Sequence, residues 1–165
     1  MPVTFAPADA EALPFYAVQP DETDLWAGQQ DDETRTWVKA SGFAGQIGQV
    51  LMIPGPGGLP KSALAGYGTA TQRARARFVL AAAAPRLAPG TYRIAQGVAN
   101  DAMPSEALGW LLAGYGYSGY RDTASPVPAL VSPEGIDTQT VELLARSEML
   151  TRDLVNTPAN AMGPS

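Results

Sequence analysis

Apolar positions in this chain switch between two spacings, and the switches mark its elements. Phe15-Tyr16-Ala17-Val18 is a short run of strand type. Val50-Leu51-Met52-Ile53 is continuously apolar, the pattern of a strand covered on both faces. Gly55-Pro56-Gly57-Gly58 then turns the chain into Ser62 to Tyr67, which predicts a hairpin. Thr91 to Ala95 places Tyr92 and Ile94 on one face of a further strand. Val127 to Val131 is a last strand, and Pro128 puts it at or near a sheet edge.

Helical spacing fills the intervals. Pro20 followed by Asp21, Glu22 and Asp24 opens a brief helix with carboxylates at its positive end. A second helix starts near Asp31-Asp32-Glu33, buries Trp37 and Val38 and ends at Gly42. Ala70 to Ala84 reads as one helix, with Ala74, Phe78, Ala81 and Ala82 as its buried stripe and Pro85 as its end. The next begins near Asn100-Asp101, takes Pro104 in its first turn and buries Leu108, Leu111, Leu112 and Tyr115. Trp110 falls off that stripe, which makes it a candidate for contact with another domain or subunit. Gly114, Gly116 and Gly119 break this helix. Finally Asp137 caps a long helix, with Ile136 and Val141 at staple spacing. Its stripe is Leu143, Leu150 and Leu154, flanked by Leu144 and Val155, until Asn156-Thr157-Pro158 stops it.

Strands alternating with helices predict an α/β fold, a mixed β-sheet flanked by helices. Residues 1–13, rich in Ala and Pro, read as a flexible N-terminal arm; 14–136 form the α/β domain; 137–165 supply a connecting helix and the start of a linker. A stop at Pro158 followed by Asn160, Gly163, Pro164 and Ser165 has the vocabulary of a fresh loop or helix, so the chain reads as the first part of something longer.

Composition narrows the chemistry more than the fold. A net charge of -5 and a pI near 4.6 disfavour a nucleic-acid partner, whose phosphates are bound by Lys and Arg. There is no apolar run of membrane-spanning length and no signal-peptide pattern, so the expected setting is cytoplasmic with no membrane partner. With no cysteine and no histidine, thiol chemistry, Ser-His-Asp triads and imidazole-ligated zinc are excluded within this sequence. The carboxylates Asp21, Glu22, Asp24, Asp31, Asp32 and Glu33 lack calcium-loop spacing and are explained by helix starts. Gly114-Tyr115-Gly116-Tyr117-Ser118-Gly119 matches a dinucleotide fingerprint in letters, but a helix precedes it where a strand is required. Arg73, Arg75 and Arg77 do not form one helical stripe and read as a solvated face. No residue is assigned as catalytic, metal-binding or cofactor-binding.

One stretch carries a resemblance. Arg152-Asp153-Leu154-Val155-Asn156-Thr157-Pro158-Ala159-Asn160 resembles the segment joining the two domains of the leucyl aminopeptidases, the cytosol aminopeptidase family. Leu108-Gly109-Trp110-Leu111-Leu112, with Tyr115 and Tyr120 after it, and Gly48-Gln49-Val50-Leu51-Met52-Ile53-Pro54 are similar to stretches of bacterial members. The junction departs from the family at Ala161, where an acidic residue is common. The resemblance implies a macro-domain-like three-layer sandwich, acting as the non-catalytic N-terminal domain of a metalloaminopeptidase. It further implies that two divalent metals, zinc or manganese, sit in a C-terminal catalytic domain, and that the parent is a hexamer acting on peptides. The family's metal motifs, similar to V-G-K-G-x-x-F-D-T-G-G and N-T-D-A-E-G-R, do not occur in this sequence, so no metal residue carries over. Residues expected at the interdomain interface are Trp110, Arg152, Asn156, Thr157, Pro158 and Asn160. The competing expectation is a stand-alone macro-like module that binds a nucleotide or ADP-ribose.

Overall fold

A computed structural model describes residues 3–115 and 128–157 of the chain. Five strands form one mixed sheet in the order β2-β3-β1-β4-β5, where β1 is Leu13–Val18, β2 Val50–Pro54, β3 Pro60–Gly66, β4 Thr91–Gln96 and β5 Ala129–Leu130. The expected hairpin is the antiparallel pair β2/β3, and the pairs β1/β3, β1/β4 and β4/β5 are parallel. Parallel neighbours need crossovers, and these carry the helices to the two faces of the sheet.

Strand alternation assigns the layers. On one face Phe15, Ala17, Ala63, Ala65 and Tyr92 pack under residues 79–87, helix α4 (Met103–Ala113) and Val141 of helix α5 (Thr138–Asn156). On the other, Val18, Leu64 and Ile53 pack under Trp26 of α1 (Thr23–Gly28) and Val38 of α2 (Asp32–Ser41). The result is a three-layer α/β sandwich, as expected. Asp31 caps α2 by accepting from the Thr34 N–H at 2.7 Å, and Gly42 ends it in the left-handed conformation (φ 68°) that favours glycine. Lys61 of β3 donates to Asp31 Oδ2 at 2.6 Å and to Thr34 Oγ1 at 3.0 Å, tying the hairpin to that helix start. These bonds, above all the one from Lys61, hold the Asp31 carboxyl well below its usual range.

Five expectations change. The described part of the arm, from residue 3, is docked: Phe5 is buried, Ala6 bridges Val131 in parallel, and Arg93 donates to the carbonyls of Ala8 and Ala10. Phe5 is the one aromatic residue before Phe15, and its burial offsets the entropy of ordering the segment. The single helix predicted over 70–84 is instead α3 (Ala70–Arg75), an extended Ala76, and two short 3-10 turns, Leu80–Ala82 and Ala84–Arg86. Val79, Leu80, Ala83, Ala84 and Leu87 are buried there, whereas Ala74 and Ala82 are exposed. The buried carboxylate of Glu106 decides this. It accepts from the Leu80 N–H at 2.8 Å and from the Val79 N–H, anchoring a turn that a continuous helix would not present.

In α4 the buried set is Glu106, Ala107, Gly109, Trp110 and Leu112; of the predicted stripe Leu112 is buried, whereas Leu108, Leu111 and Tyr115 are half-buried. Gly109 is required there, because a Cβ would lie 2.5 Å from Phe78 Cβ. β2 is an edge strand with partial cover, not one enclosed on both faces. Trp37 is 46% exposed rather than core; its Nε1 donates to Met52 O on β2 at 3.1 Å and occupies part of the free edge. Trp37→Ala is therefore expected to keep the fold and to raise concentration-dependent association, measured by light scattering. An unchanged scattering profile would show that Pro54 alone blunts this edge.

Candidate functional site

The surface that sets this domain apart is the outward face of α5. Asp137 caps it, accepting from the Thr140 N–H at 3.1 Å and from the Thr140 hydroxyl at 2.7 Å; these bonds also hold the Asp137 carboxyl low. Ile136 packs against the main core just before it, completing the predicted staple with Val141. Along the 19 residues of the helix the buried ones are Val141 and Ala145. The predicted stripe is present but faces the other way: Leu143, Leu144, Leu150, Leu154 and Val155 are 51–80% exposed. At about 100° per residue, Leu143, Leu150 and Leu154 fall within roughly 40° of one another, and roughly 140–180° from Val141 and Ala145. The helix thus rests on its own domain by a narrow, small-residue face and presents its widest apolar face outward. A contiguous apolar strip of this kind marks an interaction surface.

The residues that carry the resemblance to a domain junction lie at the far end of the same helix. Tyr115, just past α4, donates its hydroxyl to Asp153 Oδ1 at 2.8 Å and accepts from Asn156 Nδ2 at 3.2 Å. The Arg152 guanidinium stands 5.5 Å above the Tyr115 ring and pairs with Glu148 at 3.2 Å. Thr157 donates to the Asp153 carbonyl through its backbone N–H at 2.9 Å and its hydroxyl at 2.7 Å, finishing the last turn. Pro158 and Asn160 lie outside the described residues, as do Gly116 to Gly119, Tyr120 and Val127.

Trp110 does not join this group. It is 2% exposed, meets Phe15 edge-on at 5.3 Å and donates Nε1 to Pro128 O at 2.8 Å. The expectation of an interface role for Trp110 is corrected accordingly: Leu108 and Leu111 of the leucine stripe are only half-buried, while the indole faces the sheet. Tyr115, in contrast, belongs to the predicted core stripe but is only half-buried. Its adjacency to the junction comes from the packing of α4 on α5 and has no signature in sequence spacing.

Other candidates hold less chemistry. A crevice of about 100 Å³ opens at the carboxyl ends of β1 and β4, where connections leave the sheet in opposite directions, the usual ligand position in such sheets. It is lined by Glu22, Leu25, Trp26, Gln29, Gln96 and Gly97 among others, with no cation in its lining. That volume and charge do not fit a nucleotide or ADP-ribose. An open groove of about 510 Å³ runs beside Trp37, between α2 and Pro54, and its acidic rim is already engaged where Asp32 pairs with Arg35. Arg73 is no free basic residue: it stacks 4.6 Å above the Tyr67 ring and donates to Gly68 O and Gln19 Oε1. Among the described residues no three Asp or Glu side chains come together as a metal site, and the sequence has no His or Cys to add. The residues present do not fit the two-metal centre that the resemblance implies elsewhere in the parent.

Residues 13–133 match the family model for the M17 aminopeptidase N-terminal domain. The chain belongs to the M17 aminopeptidase family. Among solved structures, this M17 domain is similar to the cytosol aminopeptidase from Coxiella burnetii, with a TM-score of 0.82 and 28% identity over 94% of this chain and 34% of that one. It also shares its fold with the bottromycin maturation enzyme BotP in complex with Mn (TM-score 0.61, 23% identity, 94% of this chain and 34% of that one). A tomato leucine aminopeptidase shares the fold too (TM-score 0.56, 18% identity, 98% and 38%). The chain spans roughly a third of the length of these solved relatives. No curated protein matches the sequence. No helix among the described residues is long and apolar enough to cross a membrane. The family match ends before α5 begins, so the outward leucine face lies beyond it.

Proposed function

We propose that this M17 domain is the non-catalytic N-terminal part of a leucyl-type metalloaminopeptidase, and that it docks on its catalytic partner domain through the outer face of α5. The parent removes N-terminal residues from peptides with two divalent metals, zinc or manganese, held in the C-terminal domain; it works in the cytoplasm as a hexamer. In this reading the N-terminal domain helps to shape access to the active site. The observation that carries the reading is the direction of the stripe. Five large aliphatic side chains point away from the domain that holds the helix, immediately before the residues that resemble a domain junction. The length ratio to the solved relatives supports it.

Two measurements test it. The 165-residue chain alone is expected not to hydrolyse leucine p-nitroanilide with added manganese, whereas the full-length parent does. Turnover by the purified chain would overturn the assignment of chemistry to the missing part. In the full-length parent, Leu150→Glu with Leu154→Glu is expected to lower stability by about 3 kcal/mol or more, since each buried leucine contributes roughly 1.5–3 kcal/mol. The same pair of changes in the 165-residue chain should leave its melting temperature nearly unchanged, because both positions are exposed there. Equal effects in both proteins would remove the docking surface.

A further inference from the structure

Glu33, Thr36, Trp37 and Ala40 follow one another at helical spacing on α2 and share one exposed face. Together with Pro54 of β2 they line the open groove of about 510 Å³. Its aromatic wall is preset. Trp37 Nε1 donates to Met52 O at 3.1 Å, which holds the indole at the strand edge while 46% of the residue stays exposed. The charge at the rim is one-sided. Asp32 pairs with Arg35 at 2.7 Å, whereas the Glu33 side chain has no hydrogen-bond or ion-pair partner among the described residues. At about 100° per residue, Arg35 and Lys39 lie roughly 160° and 120° around α2 from Glu33, so neither cation of this helix reaches the groove. The nearby Lys61 is committed to Asp31 and Thr34.

We propose that this groove binds an arginine side chain of an extended peptide. A guanidinium is the cation that fits. It is flat, so it stacks on an indole face, and forked, so it donates bidentately to the Glu33 carboxylate. Its methylene stem is apolar and matches Ala40 and Pro54. The volume takes one such side chain with its adjoining backbone and lies within the usual range of ligand sites. A net charge of -5 draws cationic peptides toward the chain. The groove belongs to the helical layer opposite α5, so the inference stands or falls independently of the docking reading.

The test is an NMR titration of the isotope-labelled 165-residue chain with the peptide acetyl-alanyl-arginyl-alanine amide. Saturable shifts are expected at the Trp37 indole N–H and at the backbone amides of Glu33, Thr36 and Ala40, with a Kd of about 1 mM that weakens in high salt. Glu33→Gln should weaken binding about fivefold. Ala40→Leu fills the groove and should abolish it. Both positions are exposed, so both variants should keep the native melting temperature, which separates loss of binding from loss of fold. The same peptide with lysine in place of arginine should bind about threefold more weakly, since a compact ammonium neither stacks nor forks. Shifts that fail to saturate, or that centre on Asp21, Glu22 and Asp24, would overturn the site as unspecific attraction of charge. An affinity unchanged by Glu33→Gln would overturn it as well, and equal binding of the lysine peptide would overturn the choice of arginine.

Discussion

Trp110→Ala should destabilise the 165-residue chain by about 4 kcal/mol, the range for deleting a buried large aromatic. The indole fills the space between α4 and the sheet, where it meets Phe15 edge-on at 5.3 Å and Tyr92 at 6.4 Å. Its Nε1 donates to Pro128 O in a buried setting, so truncation also orphans a carbonyl at the start of β5. The loss should be visible in urea denaturation and independent of protein concentration, since the cavity is internal. Trp110→Phe retains most of the packing and should cost about 1–2 kcal/mol, chiefly through the missing donor. A fall below about 1 kcal/mol for the alanine variant, or a loss confined to oligomer assembly, would return Trp110 to the surface role that its helical position suggested.

Glu106→Ala should lower stability by about 3 kcal/mol, because it leaves the Leu80 and Val79 N–H groups without their acceptor in a buried site. The Tyr67 hydroxyl, which donates to Glu106 Oε1 at 3.3 Å, loses its partner as well. Burial pushes the Glu106 carboxyl above its ordinary value of 4.5, against the downward pull of these bonds and of nearby Arg73. Burial and the Glu106 charge in turn push the Tyr67 phenol up to about 12. The pH dependence follows from the direction. A carboxyl with a raised folded-state pKa is protonated in the folded chain when it has already ionised in the unfolded one. Its contribution is complete below pH 4.5 and is lost as pH rises through the folded-state value. Glu106→Gln keeps an acceptor for the Leu80 N–H and cannot ionise. Relative to it, the native chain should be most stable near pH 4 and lose ground toward pH 8, measured as the difference in melting temperature. A difference that stays flat, or grows with pH, would show that Glu106 is not held up by burial.

The two residues share a lesson about α4. Its sequence offers Leu108, Leu111 and Leu112 as an evident core face, yet the sheet takes Glu106, Ala107, Gly109, Trp110 and Leu112. Periodicity scores hydrophobicity position by position, whereas packing selects shape. Gly109 lets Phe78 approach, and the indole fills the volume left beside Phe15. A carboxylate at a core position counts against burial in any sequence pattern. Here it is retained because residues 79–80 turn their N–H groups toward it, which in turn prevents the single alanine-rich helix predicted over 70–84.

Local chemistry was enough for much of the rest. The hairpin at Gly55–Gly58, the Asp31 and Asp137 caps, the stop at Gly42 and the edge position of the strand after Pro128 follow from backbone geometry and capping groups, which act over a few residues. The sequence by itself therefore determined the α/β alternation, the stretch that resembles a domain junction and the lack of any histidine or cysteine. Tertiary structure alone decided which way the faces point: that Trp110 turns in, that Phe5 docks the first residues, and that the leucines of α5 turn out while Tyr115 meets Asp153 and Asn156. A helix period states which side chains share a side. Only the competition for a finite core, settled by volume and by buried hydrogen bonds, states which side is inside.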